Sequence, residues 1–262
     1  VTLEEYVEAQ ARIVAWITQI ALSLLAPFRF LPILPRDWRV ILVSLYPHVE
    51  WARRESARLA RQFYDSQRAT HGPGGRHAVD LAGYDFAWFE EAMQPARSGL
   101  MRPRITDEAI STFVLRVVKE VENGGRRTLL RAVRSDRAVR GWARVATGRE
   151  TCGFCMMLVS RGPVYSSAED AGLDTDDTTA LELIDRGDEQ ALNELMTRWH
   201  PGCDCKVVPV FDRRNWPGRE AYLRAERLWA HVTKGLHGRD ALNAFRRAVE
   251  RGEVDTEQAS AA

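Results

Sequence analysis

Residues 151–155 read TCGFC and residues 199–205 read WHPGCDC, and these two stretches hold every cysteine of the 262-residue chain. A Cys-x-x-Cys turn offers two sulfurs to one ion, and zinc prefers four tetrahedral ligands drawn from thiolate and imidazole. Cys152 and Cys155 have that spacing. His200, Cys203 and Cys205 add an imidazole and two thiolates within six residues, with Pro201-Gly202 supplying a bend. Five candidates compete for four places: Cys152, Cys155 and His200 with one of Cys203 or Cys205, or a set from which His200 is left out. An isolated cysteine is ordinarily a small buried residue, but two grouped knots are not explained that way. A thioredoxin-like redox pair needs a βαβ setting and leaves HPGCDC without a role. Surplus thiolates point to a closed, structural zinc site. The chain has no His-Glu-x-x-His, and no His-x-Glu with Pro-Cys-x-x-Cys, so a hydrolytic or deaminating zinc is not indicated.

Outward from the knots, composition limits the rest. A chain that is 45% hydrophobic with a net charge of +1 can bury a sizeable core, and has no global attraction to nucleic acid or membrane. Four cysteines are too few for a disulfide scaffold. The opening VTLEEYVEAQAR is acidic and does not read as a secretory signal, so a reducing cytosol is the expected place of synthesis. The longest uncharged run, Ile13 to Phe28, is shorter than a bilayer span, and no membrane span is expected.

Thr2 and Glu5 read as a capping box opening a helix to about Leu25. Its apolar residues from Ile13 to Leu25 cover nearly every face, more than one neighbour can bury. A second helix is expected from about Trp38 to Arg68, kinked at Pro47, and a short one from Asp85 to Met93. A helix from Thr106 ends at Asn123-Gly124-Gly125, and another covers Arg126 to Ala146. Strand-like runs at MMLVS and KVVPVF flank an acidic helical insert. Helices after Pro217 and from Arg239 to Glu250 precede the tail TEQASAA. The fold class is mainly α with a small α+β zinc module. The expected domains are 1–146 helical, 147–212 the Cys/His module with its acidic insert, and 213–262 C-terminal helices and tail.

The order Cys-x-x-Cys, Arg161-Gly162-Pro163, His-Pro-x-Cys-x-Cys and a β-like run, over about residues 140–212, resembles the C-terminal motif of the phage Mu F-type (MuF-like) minor head, or head-morphogenesis, proteins, most closely their actinobacteriophage forms. That resemblance implies a minor capsid component of the virion. It would be assembled in the host cytoplasm and bound to the portal protein inside the head, acting in head morphogenesis or DNA delivery, with major capsid or scaffold protein and packaged DNA as further contacts. Some such proteins are labelled capsid maturation proteases, which is the alternative function. The family has arginine between its last two cysteines, where this chain has Asp204.

For a protease, Ser160, Ser166 and Ser167 lie near the module, but a zinc-ligating His200 is not a free base. Ser166 with Glu169 reads as a capping box, and His48, His71, His77, His231 and His237 are scattered. No catalytic residue is assigned. Residues 126–149 carry eight arginines against Asp136, and Arg127, Arg131, Arg134, Arg140 and Arg144 are the candidate contacts to DNA phosphates. The bland reading pairs them with the insert, where ten acids in 165–197 face only Arg186. Asp174, Asp176 and Asp177 lack the glycine and distal glutamate of a calcium loop.

Overall fold

The computed structural model describes residues 1–29, 31–81, 83–148, 151–163 and 199–253. Within them the chain is mostly helical with a small two-stranded sheet. In order come α1 (Leu3–Leu25), α2 (Pro35–His71), α3 (Phe86–Leu100), α4 (Asp107–Ser135), β1 (Gly141–Val145), α5 (Gly153–Val159), β2 (Lys206–Val210), α6 (Arg219–Val232) and α7 (Gly238–Glu250). The acidic insert of 165–197 with Ser166, Ser167 and Glu169, the three aspartates weighed for calcium, Arg149 and the tail lie outside the described residues. Two compact units result, one of Glu5–Arg61 with Asp80–Thr128 and one of Val1–Glu4, Gln62–Val79 and Leu129 onward. Three of their boundaries run through α1, α2 and α4 and the fourth lies in the connection before α3, none of them at residues 146 or 212.

The first unit is all helical. Ile17, Leu42, Leu45, Val49, Phe89, Phe113, Val117 and Val121 are its fully buried centre. Helix α1 turns one stripe inward, Tyr6, Gln10, Ile17, Ala21 and Leu25, at helical spacing. Gln10 is tied there, donating to the Ser56 carbonyl at 3.0 Å and accepting from Ser56 Oγ at 2.8 Å. The stretch Leu3–Phe28 is nevertheless long and apolar enough to cross a membrane by length and composition, and only 17% of its most apolar window is buried. The sixteen-residue count from Ile13 therefore understates it.

Helix α2 continues through Pro47. Two expectations change in this unit. Helix α3 continues past Met93 and through Pro95, because Met93, Ala96 and Leu100 keep burying one face while Pro95 and Glu91, whose carbonyl loses its donor, face solvent. Helix α4 does not stop at Gly124-Gly125. A Cβ on Gly124 would lie 2.2 Å from the Arg53 carbonyl oxygen, and one on Gly125 would lie 2.8 Å from Ser56 Oγ. The glycines mark a close crossing of α4 over α2, not a helix end. A polar group closes the same crossing: the Arg53 guanidinium lies 4.0 Å over the Tyr84 ring and donates to the Glu120 carbonyl, and Tyr84 donates to Glu120 Oε2 at 2.8 Å.

In the second unit, the end of α4 is fixed by Asp136, which accepts from Tyr64 at 2.9 Å, Arg68 at 2.6 Å and the Ala138 N–H at 3.0 Å. Burial alone would raise this carboxyl, but those donors hold it below the usual range. The helix expected to reach Ala146 is replaced by β1, antiparallel to β2 with Gly141 opposite Val210 and Val145 opposite Lys206. Both strands are wholly buried. MMLVS, read as strand-like, is instead mostly in helix α5, packed against α6 and α7. The C-terminal helices thus belong to the compact body that carries the cysteines.

Candidate metal centre

Helix α5 begins at the first knot, with Cys152 as its N-cap and Cys152 Sγ accepting the Cys155 N–H at 3.4 Å. This aims both sulfurs off one helix end, as Cys-x-x-Cys spacing requires. The second knot turns just before β2. The Cys203 N–H donates to the His200 carbonyl at 3.1 Å, and Gly202 sits at φ 82°, a conformation L side chains rarely adopt. His200 Nε2 then lies 3.5 Å from Cys152 Sγ and 3.4 Å from Cys155 Sγ. Cys155 Sγ is 3.4 Å from Cys203 Sγ, which is 3.1 Å from Cys205 Sγ. Two overlapping trios, Cys152–Cys155–His200 and Cys155–Cys203–Cys205, have the spacing of metal ligands, and the four thiols form no disulfide. All five residues singled out from sequence are brought together.

The donors sort themselves by their surroundings. Arg144 on β1 is buried, donates from Nη1 to Cys205 Sγ at 3.3 Å, and lies 4.3 Å over the Trp199 ring. A buried guanidinium needs an anion, and it repels a divalent cation, so Cys205 is the sulfur least suited to direct ligation. The two trios, with Cys155 common to both, form a cluster able to hold a metal such as zinc. Without metal, the hydrogen bond from Cys155, and after it the neighbouring His200, pull the Cys152 thiol down to about 4. Its thiolate in turn raises His200 to about 9. Cys155, crowded by three other sulfurs, is pushed strongly up, so a metal must displace its proton.

Sequence reading missed the residues that hold the knots. Asp204 is bonded to the segment ahead of the first knot: its Oδ2 accepts from Thr151 at 2.8 Å, and its carbonyl accepts from Thr147 at 2.6 Å. It ties the segment ahead of Cys152 to the second knot. The guanidinium beside the cluster comes from Arg144, not from position 204. Only the departure at 204 was visible in sequence; the pairing of β1 with β2, which delivers Arg144, was not.

The profile of the VG15 protein family matches residues 2–231. The chain belongs to that family. VG15 relatives include the "Gene 15 protein" of Mycobacterium phage L5, 38% identical with 97% of each chain covered. The "Gene 15 protein" of Mycobacterium phage D29 is 42% identical, covering 83% of this chain and 87% of that one. No solved structure matches this VG15 chain.

The remaining candidates disperse. Arg131, Arg134 and Arg140 are exposed, Arg127 is half-buried, and Arg144 at 1% exposure cannot reach a phosphate. Ser160 is buried and donates to the Met157 carbonyl at 2.7 Å. One serine–histidine contact does occur, Ser135 Oγ to His77 Nε2 at 2.8 Å, with Asp136 4.0 Å from His77 Nδ1. Asp136 is committed to Tyr64 and Arg68, and Ser135 donates to the Arg131 carbonyl at a helix C-terminus. Carbonyl oxygens, not N–H groups, point outward there, which is the wrong polarity for an oxyanion.

Proposed function

We propose that this bacteriophage protein is a MuF-like minor capsid protein. It docks on the portal inside the head, acts in head morphogenesis or DNA delivery, and uses zinc to hold its C-terminal module. The observation that carries this reading is the convergence of two trios, Cys152–Cys155–His200 and Cys155–Cys203–Cys205, from segments 45 residues apart, in the order of that family's motif. Its relatives are phage gene products, which agrees. The zinc is structural: three thiolates and an imidazole complete a tetrahedron and leave no place for a reactant.

The portal contact is assigned to the helical unit. Val40 and Val43 on α2 are 63% and 52% exposed, and Pro47 and Trp51 continue the same face at helical spacing. An apolar side chain left in water forgoes roughly 1.5–3 kcal/mol, so a partner protein is the natural cover. The test is V40E/V43E, which leaves the buried stripe and the cysteines intact. The expected result is a folded, zinc-loaded protein that no longer enters heads or co-purifies with portal. Normal incorporation would overturn docking through this face, and flotation of the wild-type chain with lipid vesicles would assign it to a membrane instead.

A further inference from the structure

We propose that Arg131, Arg134, Arg137, Arg140, Arg213 and Arg214 form a strip that binds the phosphate backbone of duplex DNA without reading its sequence. All six are exposed and lie in the second unit. Arg131 and Arg134 stand one turn apart at the end of α4. Arg137 lies in the turn closed by the Val139 N–H on the Asp136 carbonyl at 3.1 Å. Arg140 precedes β1, and its N–H donates to the Val210 carbonyl at 2.8 Å, which brings it beside the exit of β2. There the Asp212–Asn215 bridge turns the chain with Arg213 and Arg214 at its tip.

The charge of this strip is not spent inside the described residues. Some exposed arginines elsewhere have local acids, as Arg12 with Glu8, Arg54 with Glu50 and Arg58 with Glu55. The six make no such pair among the described residues. Asp136, the acid in their midst, is buried and already bonded to Arg68. Asp212 turns an oxygen to the Arg214 backbone N–H at 2.8 Å.

The chemistry of the surroundings selects the partner. A protein interface is centred on apolar anchors, and base stacking needs exposed rings. The aromatic residues beside the strip, Tyr64, Trp142 and Phe211, are all buried. What remains is a row of planar, fork-shaped cations, which suits phosphate oxygens and carries no base readout. This inference does not rest on the portal reading or on zinc chemistry.

The experiment uses the full zinc-loaded chain and two duplexes of unrelated sequence, with fluorescence anisotropy across a salt series. Equal affinity for both duplexes is expected, with log K falling against log salt at a slope of about −4 to −5, since each neutralised phosphate contributes about −0.9. R131Q/R134Q/R140Q and R213Q/R214Q should each lower affinity at least about tenfold at low salt and flatten the slope. Their melting temperature and zinc content should match wild type. Absence of binding at low salt, or full affinity in both variants, would overturn the assignment. Equally tight capture of polyglutamate would overturn it too, by showing a strip for acidic polypeptide.

Discussion

Gly124 supplies a test in which the sign of the effect decides. If Gly124-Gly125 only loosened α4, alanine at either position would stabilise the chain by about 1 kcal/mol, the usual difference in a helix interior. The crossing over α2 reverses this. A Cβ at 124 would meet the Arg53 carbonyl oxygen at 2.2 Å, Arg53 Cγ at 2.8 Å and the Arg53 carbonyl carbon at 3.0 Å, and two of those atoms are backbone. Relief requires the helices to part, so the cost sits at the upper end of overpacking, about 3 kcal/mol or more. Subtracting the propensity gain leaves Gly124→Ala destabilised by about 2 kcal/mol. Gly125→Ala meets Ser56 Oγ at 2.8 Å, a group that can rotate, but rotation gives up the 3.1 Å bond from the Gly125 N–H. Its net effect should be smaller, about 1 kcal/mol. Urea unfolding followed by circular dichroism measures both, with midpoints falling in the order wild type, Gly125→Ala, Gly124→Ala at unchanged slope. A midpoint that rises for Gly124→Ala would refute the close crossing.

Two further predictions concern the metal centre. Elemental analysis of protein prepared without chelator should find about one zinc per chain; Cys155→Ser should lose it, whereas Cys205→Ser should keep it, and loss in the latter alone would exchange Cys203 for Cys205 in the ligand set. In the metal-free protein, the Cys152 thiolate and His200 imidazolium should coexist between about pH 4 and about pH 9. The depressed thiol stabilises fully above its unfolded value and loses that contribution as pH falls through about 4; the raised imidazole does so fully below its unfolded value and loses it as pH rises through about 9. Thiolate ultraviolet absorbance and an NMR titration of His200 follow the two groups, and Cys152→Ser should return His200 toward its ordinary value.

What the sequence disclosed was local, and what it concealed was held by distant contacts. The spans of α1 and α7 were legible because the signals that mark them lie within the helices themselves. Strand β1 was read as helix because its partner, residues 206–210, lies some sixty residues on, and nothing within GWARV announces that pairing. MMLVS was read as strand because four apolar residues and a serine are too few to show a period. The five candidate ligands were legible from spacing alone, yet the residues that aim them were not.

Asp204 sits beside the sulfur cluster without taking part in it, and the charges around it show why. Three thiolates, a neutral imidazole and a divalent zinc would carry one net negative charge, and a Cys205 thiolate would add another. The buried Arg144 guanidinium, 3.3 Å from Cys205, offsets one of these. A carboxylate one residue along the chain from such a cluster is electrostatically unwelcome: burial first, and then the neighbouring Cys205, raise the Asp204 carboxyl. The Thr151 hydroxyl, donating to it at 2.8 Å, opposes that rise. Position 204 therefore need not supply positive charge to the cluster, because β1 supplies it from Arg144. The Asp204 side chain instead tethers the segment leading into Cys152, so the charge balance and the aim of the first knot come from different residues.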